Sequence, residues 1–290
     1  MSLQHCLSLG LLVFLAVTTQ GAEPVTDNEL KTFSENLLRK DNTNDSLQVT
    51  VKTQGATRAY ATIDQAPLRL LELKPSVKRV PTVAKLIALY DNYDPDTTHN
   101  EVVTPAERKE ESDFLDAVLD TPTWTYAINF LKSKGYVKGT KADMKEVLKK
   151  IWFTVYSRGN RKMGSSAFEH VFLGEIKRGE VSGLHNWIFF NNEEEKNRLN
   201  YMGYMQTVDF NGKGGIIKLH YTWNGVTKPV GSIFVGTSPE LELALYTVCY
   251  FARPNNKCFL RLNGKPLYIQ TYTFNSRNEK LIGSAFPSVA

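Results

Sequence analysis

Apolar positions return at helical spacing through the first half of this chain and at every second residue through much of the second half. In VTDNELKTFSENLLRK, Leu30, Phe33, Leu37 and Leu38 fall on one face, the arrangement that lets a helix bury one stripe and solvate the other. The segments VAKLIALY, SDFLDAVLD and MKEVLKKIWFTVY repeat the pattern, so residues 25–157 read mainly as amphipathic helices joined by polar breaks. The longest break, DNYDPDTTHNEVVT, ends where Pro105 opens a helix with an acidic first turn.

Beyond about Gly159 glycines, β-branched residues and aromatics dominate, and IIKLHYTW and PLYIQTYTF alternate with period two, as half-buried strands do. One helix interrupts them. Ser238 as N-cap, Pro239 at the first position and Glu240 near the positive helix end introduce LELALYTVCYF, with Leu241, Leu245 and Val248 along one side. The fold class is therefore α+β: a helical N-terminal part (residues 22–157) packed on a mostly antiparallel, β-rich C-terminal part (158–290), the two forming one domain. No internal repeat is present.

Residues 7–17 (LSLGLLVFLAV) are too short an apolar run to span a bilayer and resemble the core of a signal peptide, with cleavage expected after Gly21 and secretion as its consequence. About 270 residues would remain, enough for a sizeable core, and 42% hydrophobic with 11% aromatic content excludes a disordered chain. The net charge of +5 is unevenly placed. Residues 151–290 hold 16 Lys and Arg against 10 Asp and Glu, so the basic excess sits in the C-terminal half, where it suits an anionic partner. Cys249 and Cys258 flank an RPNN turn and are expected either to bridge or to stay as two buried thiols. Asn44 opens the one glycosylation sequon.

Three of the five histidines, His170, His185 and His220, lie in the basic half. Cleavage of RNA by its own 2′-hydroxyl needs one group to withdraw the hydroxyl proton and another to protonate the departing 5′-oxygen, and imidazole suits both tasks near neutral pH. A cation is also needed where negative charge gathers on phosphorus. His170 (SSAFEHVFLGE) and His185 (SGLHNWIFF) can face one groove if Gly174, Gly179 and Gly183 turn the chain back between them, and Lys228 lies in a strand-and-turn stretch, GVTKPVGSIFVGTSPE. Taken alone, each of the three is more often a structural residue.

The strings SSAFEHVFLGE, GLHNWIFF, GVTKPVGSIFVGTSPELELALYTVCY and LIALYDNYDPDTTHNEV resemble the signature segments of the EndoU family of poly(U)-specific endoribonucleases, which includes secreted animal members and a distant coronavirus relative. The resemblance runs from about residue 25 to residue 288. It implies His185 as base, His170 as acid, Lys228 as the stabilising cation and a 2′,3′-cyclic phosphate product. It further implies that Glu169 and Glu175 support activity, by orienting His170 or helping to hold a divalent cation, that Ser232 contacts the uracil edge, and that Thr271, Tyr272 or Thr273 supplies the stacking wall. Manganese is implied as cofactor and single-stranded RNA as partner, met by a monomer without a membrane span. No metal-ligand spacing would have predicted the manganese: Asp91, Asp94 and Asp96 lack the glycine and terminal glutamate of a calcium loop. The competing class is a secreted binding module for RNA, phospholipid or protein that kept the fold. A peptide hydrolase is disfavoured by the absence of Gly-x-Ser-x-Gly, HExxH and catalytic-cysteine contexts.

Overall fold

The structure, a computed structural model, describes residues 24–44, 47–158 and 161–290. The expected signal peptide lies outside these residues. Among them, no helix is long and apolar enough to cross a membrane.

Among the described residues, five α-helices build the first half: α1 (Asp27–Lys40), α2 (Pro81–Ile87), α3 (Pro105–Leu119), α4 (Pro122–Ser133) and α5 (Lys141–Phe153). Their starts are written into the sequence. The hydroxyls of Thr26, Thr104 and Thr140 accept from the backbone amides of Glu29, Glu107 and Asp143, and the threonine amides donate in return to those carboxylates, which satisfies two otherwise orphaned backbone donors at each helix start. Leu30, Phe33, Leu37 and Leu38 all turn inward, as the periodicity requires. A short hairpin, β1 (Val49–Val51) with β2 (Leu71–Leu73), interrupts the helices and was not visible in the apolar pattern.

The second half holds two three-stranded antiparallel sheets. The first has the order β5-β6-β7, from β5 (Leu199–Asp209), β6 (Gly215–Trp223) and β7 (Val226–Val235). The second, β10-β9-β8, is made from β8 (Lys257–Leu262), β9 (Lys265–Ser276) and β10 (Glu279–Val289). Before them lies the hairpin β3 (Glu175–Lys177) and β4 (Glu180–Ser182), and then α6 (Trp187–Glu195). Helix α7 (Pro239–Ala252) starts at Ser238, whose hydroxyl accepts from the Leu241 amide. It is buried almost all round, not along one side, because it forms the hub between α4, the N-terminal helices and β9. α6 corrects the expectation of a single helix among the strands: Asn186 caps it by accepting from the Phe189 amide, a signal hidden by the uniformly apolar WIFF that follows.

Cys249, in α7, and Cys258, in β8, are bridged, with Cα atoms 5.6 Å apart. Asn44 is buried, and its Nδ2 donates to the carbonyls of Gly236 (2.8 Å) and Lys213 (3.4 Å). The nitrogen a glycan would occupy thus makes two hydrogen bonds within the fold.

Candidate active site

The stretch between the two histidines doubles back as the glycines suggest. Residues Glu169–Leu173 form a single wide π-helical turn, ended by Gly174 at φ 93°. β3 and β4 follow as a hairpin turned at Arg178 and Gly179, both at positive φ, and Gly183 and Leu184 continue in the left-handed region. This brings the Leu184 amide to the His170 carbonyl (3.0 Å) and the His185 amide to the Val171 carbonyl (2.8 Å). Glycine is required at 183: a Cβ there would sit 1.7 Å from the His170 oxygen. The two histidines are therefore locked side by side through their backbones.

Each imidazole is oriented by a different partner. Nδ1 of His185 lies 2.8 Å from the Ser232 carbonyl, which can only accept, so Nδ1 carries the proton. Nε2 is left as the lone-pair nitrogen, and it has no hydrogen bond among the described residues. The His185 ring stacks on Phe286, with centroids 5.0 Å apart. His170 Nδ1 meets Glu175 Oε2 at 3.1 Å, and its Nε2 meets the Ser284 hydroxyl at 3.1 Å. Lys228, on β7, places Nζ 2.9 Å from the Val181 carbonyl of β4.

The charges around these groups act in a consistent direction. Burial pushes His170 down to about 4, helped by the nearby Arg158 and Lys228 cations and opposed by Glu175. Burial, then Lys228, also holds His185 well below the usual imidazole range. Burial lowers Lys228 to about 8, against the pull of Glu175 and Glu180. Although burial alone would raise Glu175, His170, Arg158 and Ser165 keep it below the ordinary glutamate value. Burial first, and the neighbouring cations second, thus lower the proton affinity of both imidazoles, and a bound anion would raise it at both.

The two glutamates differ. Glu175 is fully buried, pairs with Arg158 (2.6 Å) and orients His170, so it is no surface salt bridge. Glu169 instead receives the Ser166 amide at 3.3 Å and makes no hydrogen bond to the His170 ring. Burial, with Glu175 and Glu101 nearby, raises it well above the ordinary value. His220 is also structural: its ring nitrogens meet the carbonyls of Lys228, Pro229 and Ala61.

Comparison with known proteins settles the family. The model of the endoribonuclease XendoU family matches residues 29–287. A uridylate-specific endoribonuclease of Drosophila melanogaster is 35% identical over 270 residues, covering 91% of this chain and 84% of its own. Uridylate-specific endoribonuclease C of Xenopus laevis is 36% identical over 272 residues, with 90% and 89% covered. A solved structure of XendoU, described as a splicing-independent snoRNA-processing endoribonuclease, superposes with a TM-score of 0.74 at 34% identity, covering 90% of this chain and 97% of that one. This chain belongs to the XendoU endoribonuclease family.

Against that family, the remaining expected residues separate cleanly. Ser232 is buried beside the site, and its hydroxyl donates to the Pro287 carbonyl. Thr271 is 0% exposed and donates to the Arg253 carbonyl at 2.7 Å, so it faces the core and offers no stacking wall. Thr273 pairs with Ile282 and points to the same side as Thr271. Tyr272 is 48% exposed and shares its face with Ser284 and Phe286, its ring 6.4 Å from that of Phe286. Among the described residues no group of three or more His, Cys, Asp or Glu lies together as a metal cage. Glu175 is already engaged by Arg158, His170 and Ser165.

Sequence reasoning missed Arg158, Ser284 and Phe286. Arg158 grips Ser165, the Tyr156 hydroxyl, the Gly283 carbonyl and Glu175. It thereby fixes the β-bulge between Ile282 and Ser284 that presents the Ser284 hydroxyl to His170. No local motif signals these roles, because the contacts that bring β10 to the site, Arg158 to Gly283, His170 to Ser284 and His185 to Phe286, join segments more than a hundred residues apart.

Proposed function

We propose that this family member cleaves single-stranded RNA at uridines by attack of the uridine 2′-hydroxyl on the adjacent phosphorus, leaving a 2′,3′-cyclic phosphate and a 5′-hydroxyl. His185 Nε2 takes the 2′-hydroxyl proton, His170 gives a proton to the departing 5′-oxygen, and the Lys228 ammonium stabilises the charge that gathers on the phosphoryl oxygens. The observation that carries the reading is the Nδ1 bond from His185 to the Ser232 carbonyl, which leaves its other nitrogen unprotonated and free. The pairing of His170 with Glu175 supports it, because a carboxylate favours the protonated imidazole that an acid must be. Arrival of a phosphodiester counters the depression that burial imposes on His170, so the anionic substrate loads its own acid.

The uracil preference rests on the names of the relatives, on the aromatic face of Tyr272 at the border of the site, and on Ser232, whose hydroxyl gives its proton to Pro287 and keeps an acceptor lone pair for the uracil edge. Secretion follows from the apolar leader at residues 7–17. The test is an oligonucleotide with one uridine. Wild-type protein cuts it to a cyclic-phosphate end, while His185→Ala and a 2′-deoxyuridine substrate each give no product. Cutting of the 2′-deoxyuridine strand would refute the mechanism.

A further inference from the structure

The outer face of the β8-β9-β10 sheet carries an aromatic and cationic row that begins at the catalytic centre and leaves it in one direction. Ser284 and Phe286 on β10, which touch His170 and His185, pair across with Tyr272 and Gln270 on β9. Gln270 pairs onward with Lys257 on β8, and in the next row Tyr268 pairs with Phe259. Directly paired residues of an antiparallel sheet point to the same side, so all of these share one face, opposite to the buried Thr271, Ile269 and Leu260.

This face is dressed for a ligand. Phe259 is 38% exposed although it sits in mid-strand, and with Tyr272 it belongs to the small set of large aromatics left in solvent among the described residues. The Phe259 and Tyr268 rings lie 6.0 Å apart, and the Lys257 ammonium is held over the Tyr268 ring at 4.6 Å. Lys257, Phe259 and Gln270 also border a shallow hollow of about 540 Å³. From the Tyr272 row to the Tyr268 row the strands advance about 13 Å, long enough for roughly two splayed nucleotides. Exposed rings interleaved with a cation are what an unpaired strand needs: bases stack on the rings and phosphates meet the ammonium, without sequence preference.

We infer that this sheet face, through Lys257, Phe259 and Tyr268, is an extended binding track for the nucleotides flanking the cleaved uridine on one side of the substrate strand. The inference rests on the ribonuclease reading above, since continuity with His185 and Phe286 identifies the occupant as single-stranded RNA. The track gives affinity for chain length, while the choice of base stays at the cleavage site.

The test compares the dinucleotide UpA with single-uridine heptanucleotides extended on the 5′ side or the 3′ side, using wild-type protein and the double variant Lys257→Ala/Phe259→Ala. Both positions are solvent-exposed, and a melting curve checks that the fold is kept. Wild-type kcat/KM rises on extension in one direction only. The variant loses about tenfold of that gain, through KM, and cleaves UpA at the wild-type rate. An equal loss on UpA and on the heptanucleotides, or no loss on either, overturns the track. Fluorescence anisotropy with a labelled 2′-deoxyuridine heptanucleotide measures binding without cleavage: about tenfold weaker binding by the variant supports the track, and unchanged binding overturns it. Absence of wild-type cleavage on every oligonucleotide would instead sink the ribonuclease reading, and the two failures are thereby told apart.

Discussion

Replacing Glu175 by glutamine should damage the acid half of the reaction and spare the base half. Glu175 is fully buried, holds Arg158 at 2.6 Å and supports the His170 ring at 3.1 Å. The amide oxygen of glutamine can still accept from Nδ1, so the ring stays in place, but the negative charge that favours the imidazolium disappears. An opposite charge at this distance is worth about one to three pKa units, and His170 already stands at about 4. The protonated fraction available to the leaving group should fall roughly tenfold for each unit lost, so cleavage of an ordinary RNA linkage should drop by about 10². The assay sets a natural dinucleotide beside uridine 3′-(4-nitrophenyl phosphate), whose nitrophenolate departs without being protonated. Glu175→Gln should be about 10²-fold slower on the first and within a few-fold of wild type on the second. The unpaired Arg158 should also cost about 3 kcal/mol or somewhat less in stability, so rates must be measured well below the melting temperature of the variant. An equal loss on the two substrates would refute the reasoning, because it would place Glu175 in support of the fold or of His185 and not of the acid.

Lys228→Ala should slow cleavage by about 10² to 10³. Because burial depresses the Lys228 pKa to about 8, its ammonium is intact below that pH and lost above it, so kcat/KM should fall on the alkaline side near pH 8. In Lys228→Arg that limb should move to higher pH, and a limb that stays in place assigns it to another group. Gly183→Ala forces a Cβ onto the His170 carbonyl in a backbone region that disfavours alanine. It should abolish cleavage while leaving most far-ultraviolet circular dichroism, and a fully active variant would contradict the close packing of the two histidine segments. Reducing the Cys249–Cys258 bridge opens a loop closed over a separation of nine residues, which should cost about 2–3 kcal/mol. Thermal melting with and without dithiothreitol checks this, and equal midpoints would show that the bridge adds nothing.

The sequence disclosed what is local and periodic. The stripe of Leu30, Phe33 and Leu37, the Pro105 helix start with its acidic turn and the Ser238-Pro239 helix start were all legible, because each is decided within a few residues. The turn between the histidines was legible from Gly174, Gly179 and Gly183, since few other residues adopt those backbone angles freely. Long-range partners were not legible. Whether Glu169 or Glu175 faces His170 depends on a π-helical turn that places residues five apart together, and no amphipathic period reports it. Tyr272 separates from Thr271 and Thr273 only when strand pairing assigns a face, and a one-residue shift would exchange them. Ser284 reaches the site through a bulge held by Arg158, a tertiary event without a sequence mark.

The most direct measurement of convergence on a single phosphodiester is an NMR titration of the two imidazoles, with and without an uncleavable 2′-deoxyuridine oligonucleotide. Free protein should show both His170 and His185 titrating below the ordinary imidazole range, as burial and the neighbouring cations require. On binding, both should rise together as the phosphate charge enters between them and Lys228. A rise at one histidine alone, or at neither while the oligonucleotide is demonstrably bound, would contradict the account.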